Sequence, residues 1–331
     1  MSKSKSDDKY FVGVDIGGTK ILAILVNSKF EIISRAKKKT KGWVKDTKPE
    51  TKIIEIINSV IEEAGNCKIK GIGLGVPGPV DYKKGIVVTT PNIGWENFAL
   101  GDIISRKFSV PAVVDNDVNL GTFAEWHFSD YRDVKHVLGV FPGTGIGGGL
   151  IINKKIIHGA SGGAGEIGHF TIQLDGPLCG CGKRGCLEAL ASRIAISKEI
   201  MALILRGECP YLAEKVGTDI SKLRSGIIAE AIKNGEKKVE EIVRRSAYLT
   251  GLAIANAINL LSPHLVVLGG GLVEALGEIY LEEINKAVKD HAMPFLRKKV
   301  EIVKGRLGDD AVAMGGALLV SKKLEKEKDE E

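Results

Sequence analysis

Short apolar runs broken by glycine open the chain, and longer runs of helical period follow them. The first stretch, KYFVGVDIGGTKILAILVN at residues 9–27, reads as strand, glycine turn, strand, and EIISRAKKKT supplies a third strand. Next, Ile53, Ile56, Ile57, Val60 and Ile61 recur at helical spacing, and Gly65 stops that helix. KIKGIGLGVPG is a strand that runs into a Gly-Pro loop. AVVDNDVNLGTFAEW is a strand that feeds a helix through Asp115, Asn116 and Asp117. The pattern then repeats. KHVLGVFPGTGIGGGLIINKKIIHG is again strand, glycine turn, strand, with a hairpin predicted at Asn153 and Lys154. Helical periodicity follows over residues 187–205 and 239–261. HLVVLGGGLVEALGEIY is strand, triple glycine, helix, and DDAVAMGGALLVSKKLEKEKDEE is a helix that frays into a charged tail.

The strand–turn–strand unit thus occurs twice, at Asp15 and at Thr144, each time followed by further strands and helices. Two similar α/β halves facing a cleft are the simplest reading. The length of 331 residues agrees, since it exceeds the size at which a single core stops growing. The expected division is a smaller α/β domain of residues 10–117, completed by the terminal helix at 309–331, and a larger α/β domain of 118–308.

Composition narrows the class. Hydrophobic residues at 44% and charged residues at 27% fit a soluble globular enzyme. The net charge of +6 is spread along the chain, and the lysine runs at 37–39 and 322–323 lie near element ends or the tail, so no nucleic-acid partner is expected. No apolar run approaches 20 residues, and MSKSKSDDKY lacks the apolar core of a secretory signal. A cytoplasmic protein without a membrane span is the expectation. Five cysteines in a reducing compartment argue against disulfides.

Three of those cysteines cluster in CGCGKRGCLEAL. Cys179, Cys181 and Cys186 have the spacing C-x-C-x₄-C, and His169 lies ten residues upstream. Three thiolates and one imidazole form an ordinary tetrahedral zinc set. Buried free thiols and a redox switch are the competing readings, while Cys67 and Cys209 read as unpaired thiols. With four protein ligands the zinc would be structural. It would tie His169 to the start of the CLEALAS helix and so fix Glu166 relative to Glu188.

The glycine turns carry the other candidate chemistry. DIGGTK puts Asp15 at a strand end, Gly17, Gly18 and Thr19 in the turn, and Lys20 after it; FPGTGIGGG does the same with Gly143, Thr144 and Gly145. Converging backbone N–H groups and a threonine hydroxyl suit an anion. Gly269, Gly270 and Gly271 would let a flat base lie against bare backbone at a helix N-terminus. Neither a Walker A motif nor a dinucleotide fingerprint is present. Asp117 follows an apolar strand and starts a helix, which makes it a candidate general base or, equally from the residues alone, a helix cap.

Taken together, DIGGTK, GTGIGGG and VLGGG resemble the sugar kinase, Hsp70 and actin ATPase fold, two ribonuclease H-like α/β domains facing a central cleft. GVPGPVD, DNDVNLGTFAEW, GAGEIGH and CGCGKRGCLEALAS narrow the resemblance to the ROK family (repressors, open reading frames, kinases), from Phe11 to about Leu319, and within it to the glucokinases. The resemblance implies an ATP-dependent hexose kinase that transfers the γ-phosphoryl group to the 6-hydroxyl of glucose. It implies Asp117 as general base, Asn116 on a sugar hydroxyl, and Glu166, His169 and Glu188 facing the sugar. His169 would also bind zinc, together with Cys179, Cys181 and Cys186. Gly78 in GVPGPVD and Asn92 in TTPNIGW resemble sugar-loop positions. Asp15 is expected on Mg²⁺ through water, Thr19 and Thr144 on phosphates, and Lys20 either near phosphate charge or at the surface. A homo-oligomer, dimer or tetramer, is also implied.

Kinases of N-acetylmannosamine, N-acetylglucosamine and fructose share most of these motifs. Two non-enzyme classes compete. A repressor would need a helix-turn-helix, and about ten residues precede the first strand. A catalytically inactive sugar sensor would be expected to lack the base or the phosphate loops, yet Asp117, Asp15 and both loops are present.

Overall fold

The computed structural model describes residues 9–40, 48–90 and 93–329. The chain forms two α/β units. One comprises Met1–Ser129, Ile156–Ala164 and Asp309–Glu331, and the other Asp130–Lys155 and Gly165–Gly308.

The first unit contains β1 (Tyr10–Ile16), β2 (Lys20–Val26), β3 (Ile32–Lys39), α1 (Glu50–Glu63), β4 (Ile69–Val76), β5 (Val80–Asp81), β6 (Ile86–Thr90), β7 (Trp95–Phe98), α2 (Leu100–Phe108), β8 (Ala112–Asn116) and α3 (Asp117–His127). Its main sheet has the order β3-β2-β1-β4-β8. Tight turns make β1, β2 and β3 antiparallel, whereas β4 and β8 follow longer crossovers and run parallel to β1. On α1, Ile53, Ile56, Ile57 and Val60 are fully buried. At roughly 1.5–3 kcal/mol for each such side chain, this face fixes the helix to the sheet.

The terminal helix, here α11 (Ala311–Asp329), lies on β1, β4 and α3. It approaches so closely that a side chain at Gly13 or Gly73 would collide with the backbone of Ala313 or Gly316. The unit runs on past residue 117, where the sequence pattern suggested a boundary, to Ser129. The cause is α3: residues 119–126 are all buried, so this helix is an internal layer with no solvent face to show periodicity.

The second unit contains β9 (His136–Pro142), β10 (Ile146–Ile152), Lys155 of the two-residue β11 (Lys155–Ile156), α4 (Leu187–Ala191), α5 (Arg193–Leu205), α6 (Pro210–Val216), α7 (Ser225–Lys233), α8 (Lys237–Leu261), β12 (Leu265–Leu268), α9 (Gly271–His291), α10 (Pro294–Arg297) and β13 (Glu301–Lys304). Its sheet order is β11-β10-β9-β12-β13. The antiparallel hairpin β9–β10 followed by parallel β12 and β13 repeats the plan of the first unit. Helices α8 and α9 pack together over it, and Tyr280 is buried between them with its hydroxyl 3.2 Å from Ser246 Oγ.

One predicted helix is two. Residues 187–205 break at Ser192, which is extended (φ −70°, ψ 163°) and caps α5 by accepting a hydrogen bond from Ala195 N at 3.2 Å. The break lets Arg193 N donate to Gly143 O at 2.9 Å, which ties the start of α5 to the glycine turn between β9 and β10. No helix among the described residues is long and apolar enough to cross a membrane.

Candidate active site and metal cluster

In the first unit, two carboxylates come together at strand ends. Asp15 is the penultimate residue of β1 and is buried; Asp117 starts α3 and is half-buried. Burial raises the Asp15 carboxyl to about 7, and the charge of Asp117 is the next contribution. The turn of residues 17–19 lies beside them. Gly17 N donates to Lys20 O at 2.9 Å, while Gly18 and Thr19 are exposed and neither N–H has a partner among the described residues. Lys20 is held by Asp309, which also accepts from Lys37 at 2.7 Å. Burial alone would raise the Asp309 carboxyl, but the two lysines outweigh it and bring the group down to about 2. Lys20 is therefore committed to Asp309 in this structure.

The cap of α3 belongs to Asn116. Its Oδ1 accepts from Val118 N at 2.9 Å and Asn119 N at 3.1 Å, and its Nδ2 donates to Gly78 O at 3.2 Å. One Nδ2 hydrogen is left for a ligand. Gly78, at φ +93°, shapes the loop that receives this bond. Asp117 is the first helical residue, and its Oδ1 lies 2.9 Å from Val118 N. Asn92 lies outside the described residues.

Beneath this turn is a support that the sequence pattern did not reveal. Asp115 is 1% exposed; its Oδ1 accepts from Asn116 N at 2.7 Å and Asn119 Nδ2 at 3.1 Å, and its Oδ2 lies 2.7 Å from His158 Nε2. Tyr82 stacks on the His158 ring at 3.6 Å between centroids. Only the pairing across 43 residues brings these groups together, so no local motif could have signalled them.

In the second unit, His169, Cys179, Cys181 and Cys186 place their ligand atoms within 4.8 Å of one another. The imidazole is split between two neighbours: Nδ1 is 3.7 Å from Cys179 Sγ, and Nε2 is 3.8 Å from Glu166 Oε2. Cys181 Sγ and Cys186 Sγ are also 3.7 Å apart. A tetrahedral zinc with sulfur bonds of about 2.3 Å separates its ligands by about 3.7 Å, so the donor set fits that ion. Without a metal, burial pushes the Cys186 thiol up to about 12 and raises Cys179 as well.

Cys186 directly precedes α4, so the cluster anchors the helix that carries Glu188. Glu188 Oε2 accepts from Ile146 N at 2.9 Å, and it lies where a side chain on Gly145 would have to go. Glu188 thereby pins the turn of residues 143–145. Gly143 N donates to Gly145 O at 2.8 Å, and Thr144 Oγ1 accepts from Arg193 Nη2 at 3.0 Å. The third glycine run adjoins this turn. Gly269 N donates to Val140 O at 3.0 Å, Gly270 (φ +83°) precedes α9, and Gly271 N is 4.0 Å from the point a Gly143 Cβ would occupy. Two backbone loops and the start of α9, which is kinked at Leu276 (φ −133°, ψ 27°), thus converge within one unit.

The chain is similar to known proteins over nearly its whole length. A model of the ROK family matches residues 11–323. A glucokinase from Halalkalibacterium halodurans is 33% identical over 95% of this chain and 95% of its own length. A xylose repressor from Caldicellulosiruptor bescii is 32% identical over 93% of this chain and 77% of its own. Among solved structures, a ROK family glucokinase from Streptomyces griseus in complex with glucose and AMPPNP is similar with a TM-score of 0.81 and 30% identity, covering 94% of this chain and 98% of that one. The two α/β units are those of the actin-like ATPase fold.

Proposed function

The chain belongs to the ROK family, and we propose that it is an ATP-dependent hexose kinase whose preferred acceptor is the 6-hydroxyl of glucose. The observation that carries this reading is the carboxylate pair Asp15–Asp117, because phosphoryl transfer to a hydroxyl needs a proton acceptor and a site for a divalent ion. Holding Asp15 buried against a second carboxylate raises its pKa to about 7 and costs stability, which is the usual mark of a functional site.

In this reading Asp117 accepts the proton of the 6-hydroxyl as the oxygen forms its bond to the γ-phosphorus and the bond from that phosphorus to the β-bridging oxygen breaks. Asn116 orients the hydroxyl with its remaining Nδ2 hydrogen. Asp15 would hold Mg²⁺, which when bound neutralises phosphate charge; a buried carboxylate pair whose nearest lysine is committed elsewhere suits a hard divalent ion. The exposed N–H groups of Gly18 and Thr19 and the turn at Thr144 bind phosphate oxygens, and residues 269–271 receive the adenosine. Glu166, His169 and Glu188 bind sugar hydroxyls, and a zinc held by His169, Cys179, Cys181 and Cys186 orients them structurally. The relative from Streptomyces griseus, with its glucose and AMPPNP, supports the choice of sugar and nucleotide.

An ADP-release assay with Mg²⁺-ATP across glucose, mannose, fructose, N-acetylglucosamine and N-acetylmannosamine tests the proposal. Turnover led by glucose is the expected result. Turnover led by an acetamido sugar or fructose would keep the mechanism and change the substrate. Sugar binding without turnover on any of the five would favour a sensor, a role compatible with the repressor relatives.

A further inference from the structure

Arg193 is the first residue of α5, and its guanidinium sits at the glycine turn of the second unit. Nη2 donates to Thr144 Oγ1 at 3.0 Å and Nη1 to Leu223 O at 3.1 Å. A guanidinium has five N–H donors, so three remain without a protein partner among the described residues. It forms no ion pair with any described carboxylate. Burial first, and then the like charge of Arg224, lower its pKa. Arg224 is exposed and precedes Ser225, whose Oγ is 3.6 Å from the point a Gly271 Cβ would occupy.

A half-buried cation normally finds a carboxylate. Here a second arginine stands near instead, and both flank backbone loops that offer N–H groups to an anion. We infer that Arg193 binds the β-phosphate of the nucleotide and stabilises the diphosphate as it leaves, with Arg224 adding to the local positive potential. The inference rests on the kinase reading above. During transfer the oxygen–phosphorus bond to the sugar forms, the bond between the γ-phosphorus and the β-bridging oxygen breaks, and the electron pair stays on that bridging oxygen. The free N–H groups of Arg193 would meet this developing charge, and the Thr144 hydroxyl keeps the guanidinium in place. The break at Ser192 acquires a purpose, since a continuous helix would not bring Arg193 N to Gly143 O.

The test compares ADP with adenosine, because adenosine lacks the groups that Arg193 would bind. Calorimetry on the full-length wild-type protein with Mg²⁺ should show tighter binding of ADP. Arg193→Gln should weaken ADP by roughly tenfold or more, the worth of a charge-assisted hydrogen bond. It should leave adenosine within about twofold and lower kcat by roughly 10²–10³, as for loss of one preorganised transition-state donor. Arg193→Ala should regain part of its kcat when millimolar ethylguanidinium is added, a response that a purely structural role does not give. Equal losses for ADP and adenosine, or unchanged ADP affinity and kcat in Arg193→Gln, would overturn the assignment while leaving the kinase reading intact. A wild-type protein that binds neither nucleotide and turns over no sugar would overturn both.

Discussion

The two glycine turns look alike in sequence and occupy the same place between antiparallel strands, yet their electrostatic surroundings are opposite. At residues 17–19 the nearby groups are the acids Asp15 and Asp117, and the adjacent cations Lys20 and Lys37 are both taken by Asp309. At residues 143–145 an arginine stands without an acid, a second arginine is close, and the local carboxylate, Glu188, is satisfied by a backbone N–H. The same backbone plan thus carries different charges. In the proposed reading the first turn sets a cation site and a proton acceptor beside its phosphate-binding N–H groups, and the second adds cationic donors for an anion. Glycine loops alone do not say which; the charges brought in by other elements do.

The sharpest way to break this contrast is to remove the proton acceptor. Asp117→Asn should lower kcat by roughly 10²–10⁴-fold, the usual worth of a general base, while calorimetry finds glucose binding within a fewfold of wild type. Normal turnover would show that the acids of the first unit do not handle the proton.

Asp15 sharpens the same point through stability. Its carboxyl holds a proton in the folded protein up to about 7, whereas the unfolded chain releases it near 3.8. The folded state therefore loses stability as pH rises from about 4 to 7, and above 7 the cost is full, on the order of 4 kcal/mol. Without divalent ions, Asp15→Asn should unfold at higher denaturant than wild type at pH 8 and at a similar concentration at pH 3.5. Mg²⁺ should narrow the gap at pH 8 by stabilising the wild type. No narrowing would remove Asp15 as the cation site. On the other side of the comparison, Cys181→Ser should lose zinc by elemental analysis and weaken glucose by roughly tenfold, about one charge-assisted hydrogen bond. A wild-type protein that carries no zinc would end that argument.

Much of this was legible in the chain. The strands on either side of both glycine turns, the strand leading to Asp117 and the Cys₃His set all follow from local pattern, because period-2 and period-3.6 burial and metal-ligand spacing are short-range signals. What escaped is set by distant contacts. The three-stranded sheet of β5, β6 and β7 has strands of two to five residues, too short for periodicity. The sequence left open whether Asp117 is a base or the cap of α3, and the structure gives the cap to Asn116 before it. Arg193 was hidden inside an apparently continuous helix, since Ser192 reads as a tolerable interior residue until Gly143 is seen to need its neighbour.

His158 offers the smallest effect and the finest distinction. It lies in Ile156–Ala164, the stretch by which the chain returns to the first unit, and its ring is clamped between Tyr82 and the buried Asp115. Asp115 in turn receives the backbone N–H of Asn116, so the turn that presents Asp117 rests on this pair. His158→Ala leaves a buried carboxylate short of one partner, which should lower unfolding free energy by about 1–3 kcal/mol in denaturant titrations. His158→Gln keeps a donor and should lose less. If the pair only adds stability, kcat at 25 °C will stay within twofold in both variants. If it aims the acids of the first unit, kcat will fall in His158→Ala with the glucose KM unchanged, recover in His158→Gln, and leave ADP affinity in the second unit untouched.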